Sequence, residues 1–327
     1  MCYDVKSKCG GGFMRGRLGA VLLAVVICLC TGCISHAPTE DDLTVLTIAT
    51  ADSGGTMYPV GSAIADRLSD EKIKINVSAS TGSAMNVQNL LDGEVDLALV
   101  SGDVAYDHLE STEGSLRAIA AVYISQSNWI APVSSGAVYV HDLEGLRIGV
   151  GPQGSSSELA AQTALERLGL TDGTIEIQNC GLGAGGDLVL SGELDAIHGF
   201  SGAPINGLSE LADQMPCRIL RYTTEELDSI LNFSKVYCPV TLPAKTYTGQ
   251  QQDIQTFGVK CLLCVNESMD EDIVYRLAQA MWENRDGLEE AHPAMEAMCN
   301  GKFLYEDLPI PLHPGAEKFY AELDGTV

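Results

Sequence analysis

The chain has 327 residues, enough for two lobes around a large core, and it carries 44 Asp and Glu against 19 Lys and Arg, a formal net charge of −25. Such a surface repels nucleic acid and anionic lipid alike, so a polyanion-binding role is excluded. The six histidines lack metal-ligand spacing, and neither a metal nor another cofactor is expected.

In chain order, the first predicted element is a targeting segment. Arg15 and Arg17 precede an apolar run, Leu18 to Leu29, too short to span a bilayer comfortably, and Thr31-Gly32-Cys33 follows. This predicts a signal peptide over residues 1–32, with Met14 as an alternative start, and acylation of Cys33 after cleavage. Cys30 stands where such sites usually carry an aliphatic residue, and a bitopic membrane anchor is the alternative. Residues 33–42 read as a polar tether, which places the protein outside the cytoplasm, lipid-anchored to the cell membrane. From Cys33 onward 15 basic and 43 acidic residues remain, a net of −28.

Strand and helix then alternate. A strand at Leu46 to Thr50 leads to a helix over Tyr58 to Leu68, with Pro59 in its first turn and Val60, Ile64 and Leu68 on one face. A strand over Ile73 to Ala79, a helix over Ala84 to Leu91, a strand over Val95 to Val100, a helix over Val104 to Leu109 and a strand over Leu116 to Tyr123 follow. Trp129 to Val133 is predicted to begin a crossing to a second lobe, which repeats the βαβ scheme from Leu146 to about Leu220. There Ser155 and Glu158 fit the N-cap and N3 positions of a capping box. Phe257 to Asn266 reads as a strand returning to the first lobe, where one long helix, Asp270 to Leu288, packs. Cys261-Leu-Leu-Cys264 lies inside that strand, so it predicts buried thiols or a structural disulfide rather than a zinc or redox pair.

The two βαβ units share a phrase, Leu91-Asp92-Gly93-Glu94-Val95-Asp96 and Leu190-Ser191-Gly192-Glu193-Leu194-Asp195, in which a helix stops at glycine and a buried strand begins. Two such units predict two lobes facing each other across a cleft. Three loops then stand out at helix starts: Gly54-Gly55-Thr56, Thr81-Gly82-Ser83 and Gly154-Ser155-Ser156-Ser157. Glycine lets backbone N–H groups approach a ligand, the helix end adds partial positive charge, and hydroxyls add donors; a carboxylate is the natural guest. Gly149 to Gly154 and Gly181 to Gly186 both fit GxGxxG, but Pro152 removes an N–H that a pyrophosphate would need. No GxSxG elbow or paired histidine supports a serine hydrolase, and no catalytic residue is expected.

At these loops the chain resembles the TAXI-type substrate-binding proteins of TRAP (tripartite ATP-independent periplasmic) transporters, over Leu43 to Leu323. The matching phrases are Ser53 to Gly61, Thr81-Gly82-Ser83 with Asn86, Asp96 to Val100 leading to Asp103-Val104-Ala105-Tyr106, Gly151 to Ser155, Gly192 to Ala196 with Gly202-Ala203-Pro204, and Pro311 to Ala316. The resemblance implies an α/β, two-lobed fold of the type II periplasmic-binding-protein kind with a ligand cleft between the lobes. It implies lobe one over 43–128 and 257–327 and lobe two over 129–256. The implied partners are a small anionic solute, such as glutamate, glutamine or 2-oxoglutarate, and a membrane permease driven by an ion gradient. Ser101-Gly102-Asp103 departs from a Gln-Ser-Asp run common in the family, and Met57 replaces an aromatic residue. Tyr58 and Trp129 are expected to wall the pocket, and Asn86 or Asp103 to read an amino or oxo group. A lipid-anchored sensor passing its ligand state to a membrane signalling partner is the alternative function.

Overall fold

Two parallel three-stranded ladders carry the fold; their inner strands, Leu97–Ser101 and Ala196–Ser201, are buried on both faces, while the outer strands, Ile73–Ser78 and Glu176–Gln178, are partly exposed. The structure is a computed structural model describing residues 43–111, 114–171 and 173–325; the expected signal peptide, tether and Cys33 lie outside the described residues. The first half runs β1 (Thr44–Ala49), α1 (Met57–Leu68), β2 (Ile73–Ser78), α2 (Ser83–Leu91), β3 (Leu97–Ser101) and α3 (Gly102–Ser111), and then enters the long strand β4 (Leu116–Pro132). The second half runs β5 (Arg147–Gly149), α4 (Ser156–Arg167), β6 (Glu176–Gln178), α5 (Leu182–Ser191), β7 (Ala196–Ser201), α6 (Asn206–Gln214), β8 (Cys217–Ile219), α7 (Thr224–Phe233) and β9 (Cys238–Leu242). The chain closes with β10 (Ile254–Asn266), α8 (Glu271–Glu283), α9 (Arg285–Ala291) and α10 (Pro314–Leu323).

The sheet order is β2-β1-β3-β10-β4-β7-β5-β6, so β2-β1-β3 mirrors β6-β5-β7 and the two long strands lie between them. β1 pairs in parallel with β2 and β3, and β5 with β6 and β7, whereas β10 and β4 run antiparallel to their neighbours. β4 pairs with β10 over Leu116 to Gln126 and with β7 over Gln126 to Ile130, so one strand serves both halves. Alternate residues of β3 feed opposite cores, with Leu97 and Leu99 packing with Ile64 and Ala98 and Val100 with Val87. β7 and β4 do the same in the second half, where Phe200 and Trp129 pack with Ile148, and Ile197 and Ile130 with Leu208.

The α/β, two-lobed class expected from the sequence is the one observed, with three differences in its elements. Leu116 to Tyr123 and the crossing at Trp129 belong to a single 17-residue strand. The long C-terminal helix breaks at Asn284, whose amide donates to the Ala280 carbonyl at 2.9 Å and competes with the backbone ladder. α3 begins at Gly102, where a Cβ would lie 2.6 Å from the Lys260 carbonyl oxygen, so glycine is required for β3 to turn directly into the helix. Cys261 and Cys264 are fully buried free thiols in β10, and burial pushes the Cys261 thiol up to about 12.

Candidate functional site

Four helices start at one place between the halves. α1 begins after Thr56, α2 after Gly82, α4 after Ser155 and α5 after Gly181, and Thr56, Gly82, Ser155, Ser156, Ser157 and Leu182 line one cavity of about 30 Å³. Each helix end offers unpaired N–H groups and partial positive charge, which favour an anion, although no Lys or Arg lines the cavity and Asp52 does, its carboxylate accepting the Gly54 N–H at 2.9 Å. A space of that size holds about one or two water molecules, so an amino-acid-sized solute enters only when the halves separate.

The start of α4 is the best-prepared edge. Ser155 caps the helix by accepting the Glu158 N–H at 3.2 Å. The Glu158 carboxylate accepts the Gly154 N–H at 2.6 Å and the Asn179 amide at 2.9 Å, so only half of the expected capping box forms. That carboxylate occupies the Gly154 N–H, one of the donors a dinucleotide phosphate would use. Among the described residues, the Ser156 hydroxyl and the N–H groups of Ser156 and Ser157 have no protein acceptor or donor. They are the donors left for a guest.

A buried chain of hydrogen bonds fixes this edge. Trp129 Nε1–H donates to Tyr222 Oη at 2.6 Å, and the Tyr222 and Ser127 hydroxyls lie 2.9 Å apart. His198 Nδ1–H donates to the Ser157 carbonyl at 3.0 Å, which leaves Nε2 to accept from the Ser127 hydroxyl at 2.9 Å. The Ser157 hydroxyl accepts the Phe200 N–H at 2.9 Å. Complete burial holds the His198 imidazole neutral, its pKa lowered to about 3.

The predicted residues divide. Gly55, Thr56, Thr81, Ser155, Ser156 and Ser157 line the cavity. The Thr56 hydroxyl is spoken for, since it donates to the Gly202 carbonyl at 2.5 Å. Ser83 is fully buried and its hydroxyl accepts the Ser101 N–H at 3.0 Å, fastening α2 to β3. Gly154 lines a neighbouring cavity of about 230 Å³ with Asp107, His108 and Glu158.

Four expectations need correction. Tyr58 is 38% exposed on the outer side of α1, and Met57, one position earlier, faces the cavity in its place. Trp129 does not wall the pocket: it is buried in the second-half core, its ring centroid 4.2 Å from that of His198. Asn86 cannot read a ligand, because its amide donates to the Thr50 and Leu99 carbonyls and accepts from the Ser80 hydroxyl. Asp103 lies in a different cavity, of about 220 Å³, where its carboxylate accepts the Tyr237 hydroxyl at 2.9 Å and burial raises its pKa.

Asp52, Pro152, Leu182, Phe200 and Ser201 also line the cavity and were not expected to. The repeat held the missing signal, since Ser83 and Leu182 stand 99 residues apart, as do Gly93 and Gly192. The halves touch closely here. The Gly54 carbonyl accepts the Gly207 N–H at 2.9 Å, and a Cβ on Gly54 would lie 2.4 Å from the Gly183 nitrogen. A Cβ on Gly82 would come within 3.3 Å of the Ser155 Cβ.

Two α/β halves are joined by two long strands, and helix starts converge between them. The chain belongs to the NMT1-like family, whose profile matches residues 48–323. It is similar in structure to a protein from Bordetella bronchiseptica RB50, with 19% identity over 86% of this chain and 89% of that one and a TM-score of 0.52. The ligand-binding component of an ABC-type import system from Staphylococcus aureus aligns at 10% identity over 76% and 78% of the two chains, with a TM-score of 0.49. The alkanesulfonate-binding protein of Xanthomonas axonopodis pv. citri aligns at 14% identity over 87% and 80%, with a TM-score of 0.47.

Proposed function

We propose that the protein is the extracytoplasmic receptor of a TRAP transporter of the TAXI type, a binding protein rather than an enzyme, which captures a small carboxylate and delivers it to a membrane permease. Glutamate, glutamine and 2-oxoglutarate are the leading solutes. The observation that carries this reading is the convergence of four helix starts on a cavity without a cation of its own, with Ser156 and the first N–H groups of α4 unpartnered. Lobe one comprises 43–128 and 257–327 and lobe two 129–256, so both boundaries fall inside the long strands β4 and β10. The solute's carboxylate sits at Ser156, with Gly55, Thr56 and Thr81 closing over it from lobe one. A thermal-shift screen over amino acids and carboxylates tests the reading, because a bound solute raises apparent stability by mass action. A rise with a carboxylate-bearing solute supports it, and a rise confined to cations or neutral sugars overturns it.

A hydrogen bond to a charged group contributes about 1.5–3 kcal/mol, so Ser156→Ala is expected to weaken solute binding roughly ten- to a hundredfold. Titration calorimetry checks this, with circular dichroism confirming the fold. Unchanged affinity would move the carboxylate to the Gly55-Thr56 loop. Uptake by proteoliposomes holding the partner permease is expected to need an ion gradient and no ATP; ATP-dependent uptake would assign the receptor to another transporter class.

The lipid anchor rests on Thr31-Gly32-Cys33, and among the described residues no helix is long and apolar enough to cross a membrane. Replacing Cys33 with Ser is expected to release the protein from the membrane fraction. Retention of an uncleaved chain would favour the bitopic anchor.

A further inference from the structure

A cavity of about 310 Å³ lies wholly in the second half and shares no lining residue with the one between the helix starts. Arg218 and Ile219 of β8, Arg221 just beyond it, Val133 after β4, and Gly249 and Ile254 from the entry to β10 contribute to its walls. Both arginines stand on a fixed frame. Arg218 pairs with Ala131 of β4; the Arg221 N–H donates to the Val138 carbonyl at 3.1 Å, and its carbonyl accepts the Val140 N–H at 2.9 Å.

The chain's net charge is −25, yet no Asp or Glu lines this cavity and its two charged residues are both arginines. Among the described residues, no carboxylate forms an ion pair with either, whereas Arg117 and Arg147 each have one. The carboxylates on the flanking segments serve other donors. Asp213 accepts from the Thr248 hydroxyl, Asp253 from the Ala244 N–H, Asp142 from the Val138 and Tyr139 N–H groups, and Glu226 from the Thr223 N–H. Both guanidiniums are held against one short segment: Arg218 Nη1–H donates to the Ala137 carbonyl at 2.5 Å, and the Arg221 guanidinium carbon lies 5.1 Å from the Tyr139 ring centroid. Both side chains are partly exposed, so their remaining N–H groups can be reached from solvent. Screening over about 8 Å at physiological salt mutes the distant acidic surface, and the nearest charges dominate the field in the cavity.

We propose that this cavity is a second ligand site, for a small molecule carrying a phosphate monoester. Two guanidiniums match a doubly charged tetrahedral oxyanion, because each presents a planar fork of donors suited to a pair of its oxygens. The volume, at the lower end of ordinary small-molecule pockets, leaves room beside the phosphate for a small organic body against Val133, Ile219 and Ile254. The exposed Gln251 and Gln252 amides add neutral donors. The site lies apart from the transported solute and does not depend on that solute's identity.

Methyl phosphate and dimethyl phosphate probe the site on the full chain, because they share the tetrahedral oxyanion and at about pH 8 differ in charge. With Ile, Val and Leu methyl groups isotope-labelled and ionic strength held constant with sodium chloride, methyl phosphate is expected to give saturable NMR shifts at Val133, Ile219 and Ile254. It is expected to bind about tenfold more tightly than dimethyl phosphate, and Arg221→Gln to remove that preference. No saturable shift at those methyls, equal affinities of the two esters, or a preference that survives in Arg221→Gln would each overturn it. So would shifts that sodium chloride alone reproduces, which would mark an adventitious ion only, or shifts confined to Leu182 in the cavity between the helix starts. Should Arg221→Gln not fold, the wild-type comparison of the two esters decides alone.

Discussion

Replacing Gly54 with Val is expected to lower solute affinity by more than about a hundredfold while leaving each half folded. Gly54 is not among the residues with positive φ, so a side chain does not strain its own backbone. The cost falls on the approach of the halves, because the added Cβ would lie 2.4 Å from the Gly183 nitrogen and 3.0 Å from an Asp52 carboxylate oxygen. That approach also carries the hydrogen bond from the Gly207 N–H to the Gly54 carbonyl and the one from Thr56 to Gly202. A solute held by groups from both halves binds only as well as the closed form is populated, and disfavouring closure by about 3 kcal/mol lowers apparent affinity by about two orders of magnitude. Small-angle scattering checks the mechanism: with saturating solute the wild type contracts and Gly54→Val does not. Wild-type affinity with wild-type contraction in the variant would refute it.

Acid is expected to weaken the fold well above the ordinary carboxylate range, through His198. The native state holds the imidazole neutral with a pKa of about 3, against 6.5 for the free side chain. A group with a depressed native pKa contributes stability that is fully present above its unfolded value and is lost as pH falls toward the native one. The loss therefore starts near pH 6.5 and continues toward pH 3, and at about 1.4 kcal/mol per unit it reaches several kcal/mol. Protonating Nε2 also removes the acceptor for Ser127, which loosens the link from Trp129 to Ser157. His292, also buried, is shifted the same way, while burial of Asp103 acts in the opposite sense by favouring its protonated form. Urea midpoints measured at pH 7, 5 and 4 for the wild type and His198→Gln separate these contributions. The wild type is expected to lose more stability over that range than the variant, and equal slopes would remove His198 from the account.

The duplicated α/β plan is legible in the sequence because buried parallel strands read as unbroken aliphatic runs, as in Leu97 to Val100. β4 is not legible as one strand, because Ser125, Gln126, Ser127 and Asn128 interrupt its apolar pattern. All four are buried where the sheet passes between the halves, a tertiary circumstance that no local period carries. The helix-start loops are legible because three of them combine glycine with hydroxyls, although capping alone, as at Ser155, also places such residues before a helix. What those loops leave open is which way a side chain points. Met57 and Tyr58 are neighbours on α1, and only the packing of Met57 into the first-half core decides which one faces the cavity. Trp129 and Asn86 have the chemistry of pocket residues, and internal hydrogen bonds consume both.

Titration calorimetry of the full chain with L-glutamate, L-glutamine and 2-oxoglutarate tests most directly whether the helix starts around Ser156 form a carboxylate receptor. The account predicts saturable one-to-one binding of at least one of the three, weakened by Ser156→Ala and nearly abolished by Gly54→Val. Absence of binding by all three, or binding that neither substitution alters, would contradict it.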